Sequence, residues 1–202
     1  MLTQAYQALT KDPNGTAPLI FAFHGTGGDE NQFFDLAQDI HPDAGVISPR
    51  GDVSEMGAAR FFRRTGEGVY DMDDLARATD KMAAYVSDWK QKNPGRAIYG
   101  FGYSNGANIL ASVMISHPEL FDRVGLLHPL IPWNPSSVSG LQDTQVLVTA
   151  GRHDPICPWP QTEKLTRWIR AQGAELTTLY HDGGHEMWRE ELTALAELLR
   201  DH

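Results

Sequence analysis

A serine, an aspartate and a histidine, each directly after an apolar run, are the residues of this chain best placed to do chemistry. Ser104 lies in Gly102-Tyr103-Ser104-Asn105-Gly106, after the run 97–101 and before a helical pattern. A serine on a sharp strand-to-helix turn has its hydroxyl lifted out of the sheet, and glycines two positions to either side let the backbones close in. That context makes the pentapeptide a nucleophile elbow rather than a glycine turn with an incidental serine. A serine hydroxyl is a poor nucleophile near neutral pH and needs a base, itself oriented by an acid. Asp154, after the run 145–150, and His185, after 175–180, supply both. Consecutive parallel strands would bring them to one edge in the order Ser, Asp, His. Asp143 precedes its strand and Asp182 comes one element late. His181 reads as the last residue of its strand, whereas the paired glycines before His185 suit a mobile loop that swings the ring over Ser104.

A tetrahedral intermediate also needs donors for its negative charge. The backbone N–H of Asn105, at a helix start, is one. The other is assigned to Thr26 in His24-Gly25-Thr26-Gly27-Gly28-Asp29-Glu30, with Gly25 and Gly27 as rivals. A phosphate loop is set aside because no lysine follows the glycines. His181 and His185 have the spacing of metal ligands on one helical face, but Gly183-Gly184 breaks a helix there, so no metal or other cofactor is expected. Arg60, Arg63 and Arg64 form a basic cluster in an acidic chain. Arg63 and Arg64, with Trp188, are candidate substrate-binding residues; the alternative for the arginines is pairing with Glu55, Glu67, Asp71, Asp73 or Asp74. Cys157 lies near Asp154 but not on the elbow, which argues against a catalytic thiol.

The elements that must hold these groups alternate. Apolar runs at 19–23, 44–48, 97–101, 124–128, 145–150 and 175–180 read as strands buried on both faces. An earlier strand at 6–10, turning at Asp12-Pro13-Asn14-Gly15, would pair with the next as an antiparallel edge. Helical stripes run through Leu75–Trp89, Ala107–Met114, Leu165–Ile169 and Trp188–Leu199. The stretch 50–71 shows no clear element, and long ordered loops are often functional. The expectation is one domain, 1–202: a mostly parallel sheet with helices on both faces and no cap domain.

Composition narrows the partners. A net charge of −9 argues against nucleic acid or an anionic membrane. The single cysteine excludes an internal disulfide. The N-terminus has neither the basic start nor the apolar stretch of a signal peptide, so a cytoplasmic location is expected.

With these residues placed, the chain resembles an α/β-hydrolase of the phospholipase/carboxylesterase family of small lidless esterases and thioesterases. The resemblance runs from about Leu19 onward and rests on the 23–30 glycine loop, Gly102–Gly106, Asp154-Pro155-Ile156-Cys157-Pro158 and Gly184-His185. Ser48-Pro49-Arg50-Gly51, Arg60–Arg64 and Asp71–Leu75 are similar to a bacterial carboxylesterase subgroup. The resemblance implies Ser104, Asp154 and His185 as triad and Thr26 and Asn105 as oxyanion donors, and homodimers are common among similar proteins; with no room for a cap domain, an open cleft favours small, soluble, short-chain acyl esters. Related dienelactone hydrolases carry cysteine at the elbow; serine stands here. A thioesterase or acyltransferase would use the same triad, and a non-catalytic ligand-binding protein is the alternative of another class.

Overall fold

The computed structural model describes residues 6–200. In chain order its elements are β1 (Ala8–Lys11), β2 (Leu19–Phe23), α1 (Phe34–Ile40), β3 (Gly45–Pro49), β4 (Val53–Glu55), β5 (Ala58–Arg60), β6 (Arg64–Gly66), β7 (Val69–Tyr70), α2 (Met72–Lys92), β8 (Ile98–Tyr103), α3 (Asn105–Ser116), β9 (Arg123–Leu127), β10 (Gln145–Gly151), α4 (Trp159–Ala171), β11 (Glu175–His181) and α5 (Arg189–Leu199). A seven-stranded sheet of order β1-β3-β2-β8-β9-β10-β11 forms the centre. All its pairings are parallel except β1 with β3.

Burial explains the layers. β2 and β3 are buried at every position, as continuous apolar runs between two helical layers must be. Leu75, Met82 and Val86 of α2, Ile109 and Val113 of α3, and Leu165 and Ile169 of α4 pack into one apolar cluster. Ala37 and Ile40 of α1 join Leu195 and Leu199 of α5 in a second, on the other face. Each large side chain buried in this way contributes roughly 1.5–3 kcal/mol. The 3.6-residue stripe of α2 starts cleanly because the Asp71 side chain accepts the Asp74 N–H at 3.1 Å. Among the described residues, no helix is long and apolar enough to cross a membrane.

Three expectations are corrected. The N-terminal strand is an antiparallel edge, but it pairs with β3 instead of β2, with Ala8 opposite Pro49. The 12–15 turn is drawn to that side, where Asn14 N–H donates to Asp43 O at 2.8 Å. β11 is not buried on both faces: as the sheet's edge, it alternates exposed and half-buried residues over 175–178 and is fully buried only at His181. The 50–71 stretch is not structureless either; it folds as two short hairpins, β4–β5 and β6–β7.

Register brings the loops that carry chemistry to one edge. Phe23 lies opposite Gly102, so the glycine loop after β2 adjoins the elbow after β8. Tyr103 lies opposite Leu127, and Gly151 opposite His181, which sets the Asp154 and His185 loops side by side. From β2 the chain passes to β3 on one side and later to β8 on the other; such a reversal opens a crevice at the strands' carboxyl ends.

Candidate active site

Ser104 sits in that crevice with φ 52° and ψ −116°, a left-handed backbone that a non-glycine residue adopts at a cost of roughly 1–3 kcal/mol. The turn is held from both sides: Ser104 N–H donates to Leu127 O, and Ser104 O accepts the Asn108 N–H, both at 2.9 Å. Its glycines are required by contact. A Cβ on Gly106 would lie 2.2 Å from Phe23 O, and one on Gly102 would lie 2.5 Å from the carbonyl carbon of Gly106.

The three strand-end residues meet. His185 Nε2 is 2.9 Å from Ser104 Oγ, and His185 Nδ1 is 2.7 Å from Asp154 Oδ2. A carboxylate oxygen only accepts, so Nδ1 carries the ring proton and Nε2 is left to accept from the serine hydroxyl. Asp154 Oδ1 accepts the N–H groups of Ile156 and Cys157 at 2.8 and 2.9 Å. Burial alone would raise the Asp154 carboxyl, but hydrogen bonds from His128, His185 and the Cys157 amide outweigh it and hold the group well below the usual carboxylate range. The His185 loop makes several hydrogen bonds. Tyr103 Oη donates to His185 O at 2.6 Å, His153 N–H donates to Gly183 O at 3.0 Å, and Gly184 N–H donates to the Glu186 carboxylate. His181, the other candidate base, faces Glu191 instead, with Nε2 3.2 Å from Oε2.

Around Ser104 the backbone donors sort themselves. Gly25 N–H donates to Gln32 Oε1 at 2.9 Å and Gly27 N–H to Ala59 O at 3.0 Å. The amides of Thr26 and Asn105 have no partner among the described residues. The Thr26 hydroxyl accepts from Arg60 Nη1 at 2.7 Å, so a buried arginine holds this loop in place. The Asn105 side chain accepts the Phe61 N–H at 2.8 Å and ties the elbow to the same segment.

The cleft at Ser104 has a cavity of about 30 Å³, lined in part by Thr26, Arg60, Arg64, Tyr70, Leu130 and Ile156. A wider hollow of about 320 Å³ beside Tyr6, Asp52 and Lys81 contains none of the triad. Arg64 donates through Nε to both oxygens of Glu55 at 3.0 and 3.1 Å. Arg60 Nε shares that carboxylate at 3.1 Å, so two cations face one anion. Arg63 points elsewhere, pairing with Asp71 and Asp74 at 3.1 Å each. Trp188 is outside the cleft lining; it stacks on His181 with ring centroids 4.3 Å apart. Cys157 is buried, its thiol pushed well up by burial, and Sγ donates to His128 O at 3.2 Å.

His128, which sequence reasoning reads as a surface or hydrogen-bonded structural histidine without a part in the chemistry, puts Nδ1 3.0 Å from Asp154 Oδ2. The available signal was its place at a strand end, the same signal that marks the triad.

No family model matches the chain. MhqD of Bacillus subtilis (strain 168), provisionally named as a hydrolase, is 34% identical over 186 residues, covering 91% of this chain and 92% of that protein. Among solved structures, a protein of unknown function from Agrobacterium tumefaciens is 49% identical with a TM-score of 0.94, covering 98% of each chain. The Bacillus cereus carboxylesterase is 31% identical with a TM-score of 0.90, covering 96% of this chain and 93% of its own. YahD, solved with malic acid, is 26% identical with a TM-score of 0.88, covering 96% of this chain and 98% of its own. With a mostly parallel sheet flanked by helices and relatives of these kinds along nearly its whole length, the chain belongs to the α/β-hydrolase carboxylesterase family and is an esterase-type hydrolase.

Proposed function

We propose that the protein hydrolyses small, soluble carboxylic esters through an acyl-enzyme formed on Ser104. The observation that carries this reading is the unbroken line from Ser104 Oγ to His185 Nε2 at 2.9 Å and from His185 Nδ1 to Asp154 Oδ2 at 2.7 Å. His185 takes the hydroxyl proton as Ser104 attacks the ester carbonyl, and Asp154 stabilises the imidazolium that forms. The unpartnered amides of Thr26 and Asn105 receive the oxyanion. His185 then protonates the leaving alcohol, and water repeats the sequence to release the acid.

The narrow space beside Ser104, about 30 Å³, supports a short acyl group. p-Nitrophenyl acetate should therefore be cleaved, with kcat/KM falling at least tenfold from acetate to octanoate, because a long chain lacks room. An equal or rising rate with chain length would exclude the short-acyl reading.

Arg64 supports a further preference, for an acyl group bearing its own carboxylate. Its Nε is engaged by Glu55, while its terminal amino groups have no partner among the described residues and Arg64 lines the cleft. A guanidinium so placed can take a carboxylate with two parallel bonds, and the similar YahD was solved with malic acid. Arg64→Leu should lower kcat/KM for a succinate half-ester by roughly 10–100-fold while changing that for acetate less than threefold. Arg63→Leu, outside the cleft, serves as the control and should leave the ratio unchanged. Equal losses on both esters in Arg64→Leu would assign the arginine a purely structural part.

A further inference from the structure

Behind the triad, away from Ser104, side chains from separate elements meet in a solvent-free cluster: His128 after β9, Asp154 after β10, His181 at the end of β11 and Glu191 in α5. His128 is held at φ 52°, a left-handed backbone that a non-glycine residue keeps only when its surroundings over-determine it. Its side chain is 0% exposed, with Nδ1 3.0 Å from Asp154 Oδ2 and Nε2 3.0 Å from Glu191 Oε1. A carboxylate oxygen can only accept, so a nitrogen hydrogen-bonded to one carries a proton. The Nδ1 hydrogen bond puts a proton there, and carboxylates on both sides of the ring favour a second on Nε2, which would make His128 an imidazolium between two anions. The Nδ1 contact is a hydrogen bond, whereas the Nε2 contact lies off the N–H direction and acts as a charge pair.

His181 does not turn this cluster into a cation site. Its Nδ1 accepts the Gly183 N–H at 3.0 Å, so the ring proton is on Nε2, which faces Glu191 and has no lone pair to offer a metal. The other titratable groups facing His128 are the His185, His181 and Tyr103 rings, with centroids at 5.2, 5.4 and 5.8 Å, and the Cys157 thiol that donates to its carbonyl oxygen. None of them replaces a carboxylate. Glu191 is itself fixed, accepting the Trp188 N–H at 2.5 Å at the start of α5.

We propose that His128, protonated at neutral pH, is a positioning residue for the ester hydrolysis: it clamps the triad aspartate to Glu191 and keeps Asp154 Oδ2 in line with His185. This rests on the triad reading of Ser104, His185 and Asp154. Without the cation, two buried carboxylates would share this region with no positive charge between them, and Asp154 Oδ2 would lose one of the two groups that fix its direction. Burial lowers the proton affinity of His128, but the close contacts and charges of Asp154 and Glu191 outweigh it and push the ring up to about 9. Glu191 is held below its ordinary value against its own burial, chiefly by His128.

The test combines histidine ¹⁵N NMR with pH profiles of kcat/KM on p-nitrophenyl acetate, corrected for uncatalysed hydrolysis. At pH 7 the His128 ring should show two protonated nitrogens. Wild-type kcat/KM should decline on the alkaline side with a midpoint near pH 9. In Glu191→Gln, which preserves shape, that midpoint should move down by about one unit or more. In His128→Asn the limb near pH 9 should vanish, kcat should fall roughly tenfold or more, and KM should change little. Thermal stability gives a second readout. The folded value lies above the ordinary 6.5, so the clamp's contribution is complete below about pH 6.5 and is lost as pH rises through about 9. The wild-type Tm should drop across that window by more than that of His128→Asn. A single ring proton on His128 at pH 7, stoichiometric metal on His128, or an alkaline limb that Glu191→Gln leaves in place would overturn the proposal. Should Ser104→Ala retain activity, the triad reading fails instead, while the NMR measurement still reports the charge on His128.

Discussion

Ser104→Ala should lower kcat on p-nitrophenyl acetate by roughly 10⁴-fold or more, with a folded protein and a nearly unchanged KM. The fold should tolerate the change, because alanine meets the same left-handed backbone as serine and Ser104 donates no side-chain hydrogen bond except within the triad. Among the described residues, no second nucleophile stands ready in the cleft to take over. Cys157 lines the same cleft, but its thiol is buried, donates to His128 O and is held protonated by burial. What remains is water activated by His185 with the Thr26 and Asn105 amides still in place, a residual catalysis of about 10³–10⁴ over solution in comparable triads. A fluorophosphonate probe should label the wild type at Ser104 and leave the variant unmarked. A variant within tenfold of wild type would remove Ser104 from the mechanism.

The meeting of Ser104, Asp154 and His185 was legible because the three share a sign that survives in one dimension. Each follows an apolar run long enough to be a buried strand, and parallel strands deliver their next residues to one edge. The hairpins between residues 50 and 71 left no such sign. Their strands are two or three residues long, three of the four carry a charged side chain, and the first hairpin turns through Met56 and Gly57, both at positive φ. A methionine in that position is not a turn signal. Consequently Arg63 and Arg64 could not be told apart, although one pairs with Asp71 and Asp74 outside the cleft and the other faces it. α1, seven residues long with buried Ala37 and Ile40 and no side-chain cap, is too short to show a period. The pairing of His128 with Glu191 depends on β9 and α5 packing together, which no spacing within either segment records.

Asp154→Asn should be nearly as damaging as loss of the nucleophile, at roughly 10⁴-fold in kcat, and the reason lies in which oxygen does what. Oδ1 accepts two backbone N–H groups, from Ile156 and Cys157. An amide in this site must keep its oxygen there, because turning it round would point two donors at two donors. The new NH₂ then replaces Oδ2, the atom that accepts from both His185 Nδ1 and His128 Nδ1. A donor beside His185 Nδ1 selects the tautomer with its proton on Nε2, and that nitrogen can no longer take the proton of Ser104. The same NH₂ meets the N–H of a protonated His128, so the variant should also lose thermal stability, unlike a substitution that only switches tautomers. Fluorophosphonate labelling should slow in parallel with ester hydrolysis, since both need a basic Nε2. Raising the pH should restore part of the rate, as an increasing share of hydroxide bypasses the missing base. If Asp154→Asn kept the wild-type rate, the acid would have to be sought elsewhere, and Glu191, joined to this carboxylate only through His128, is too far along the chain of contacts to orient His185 directly.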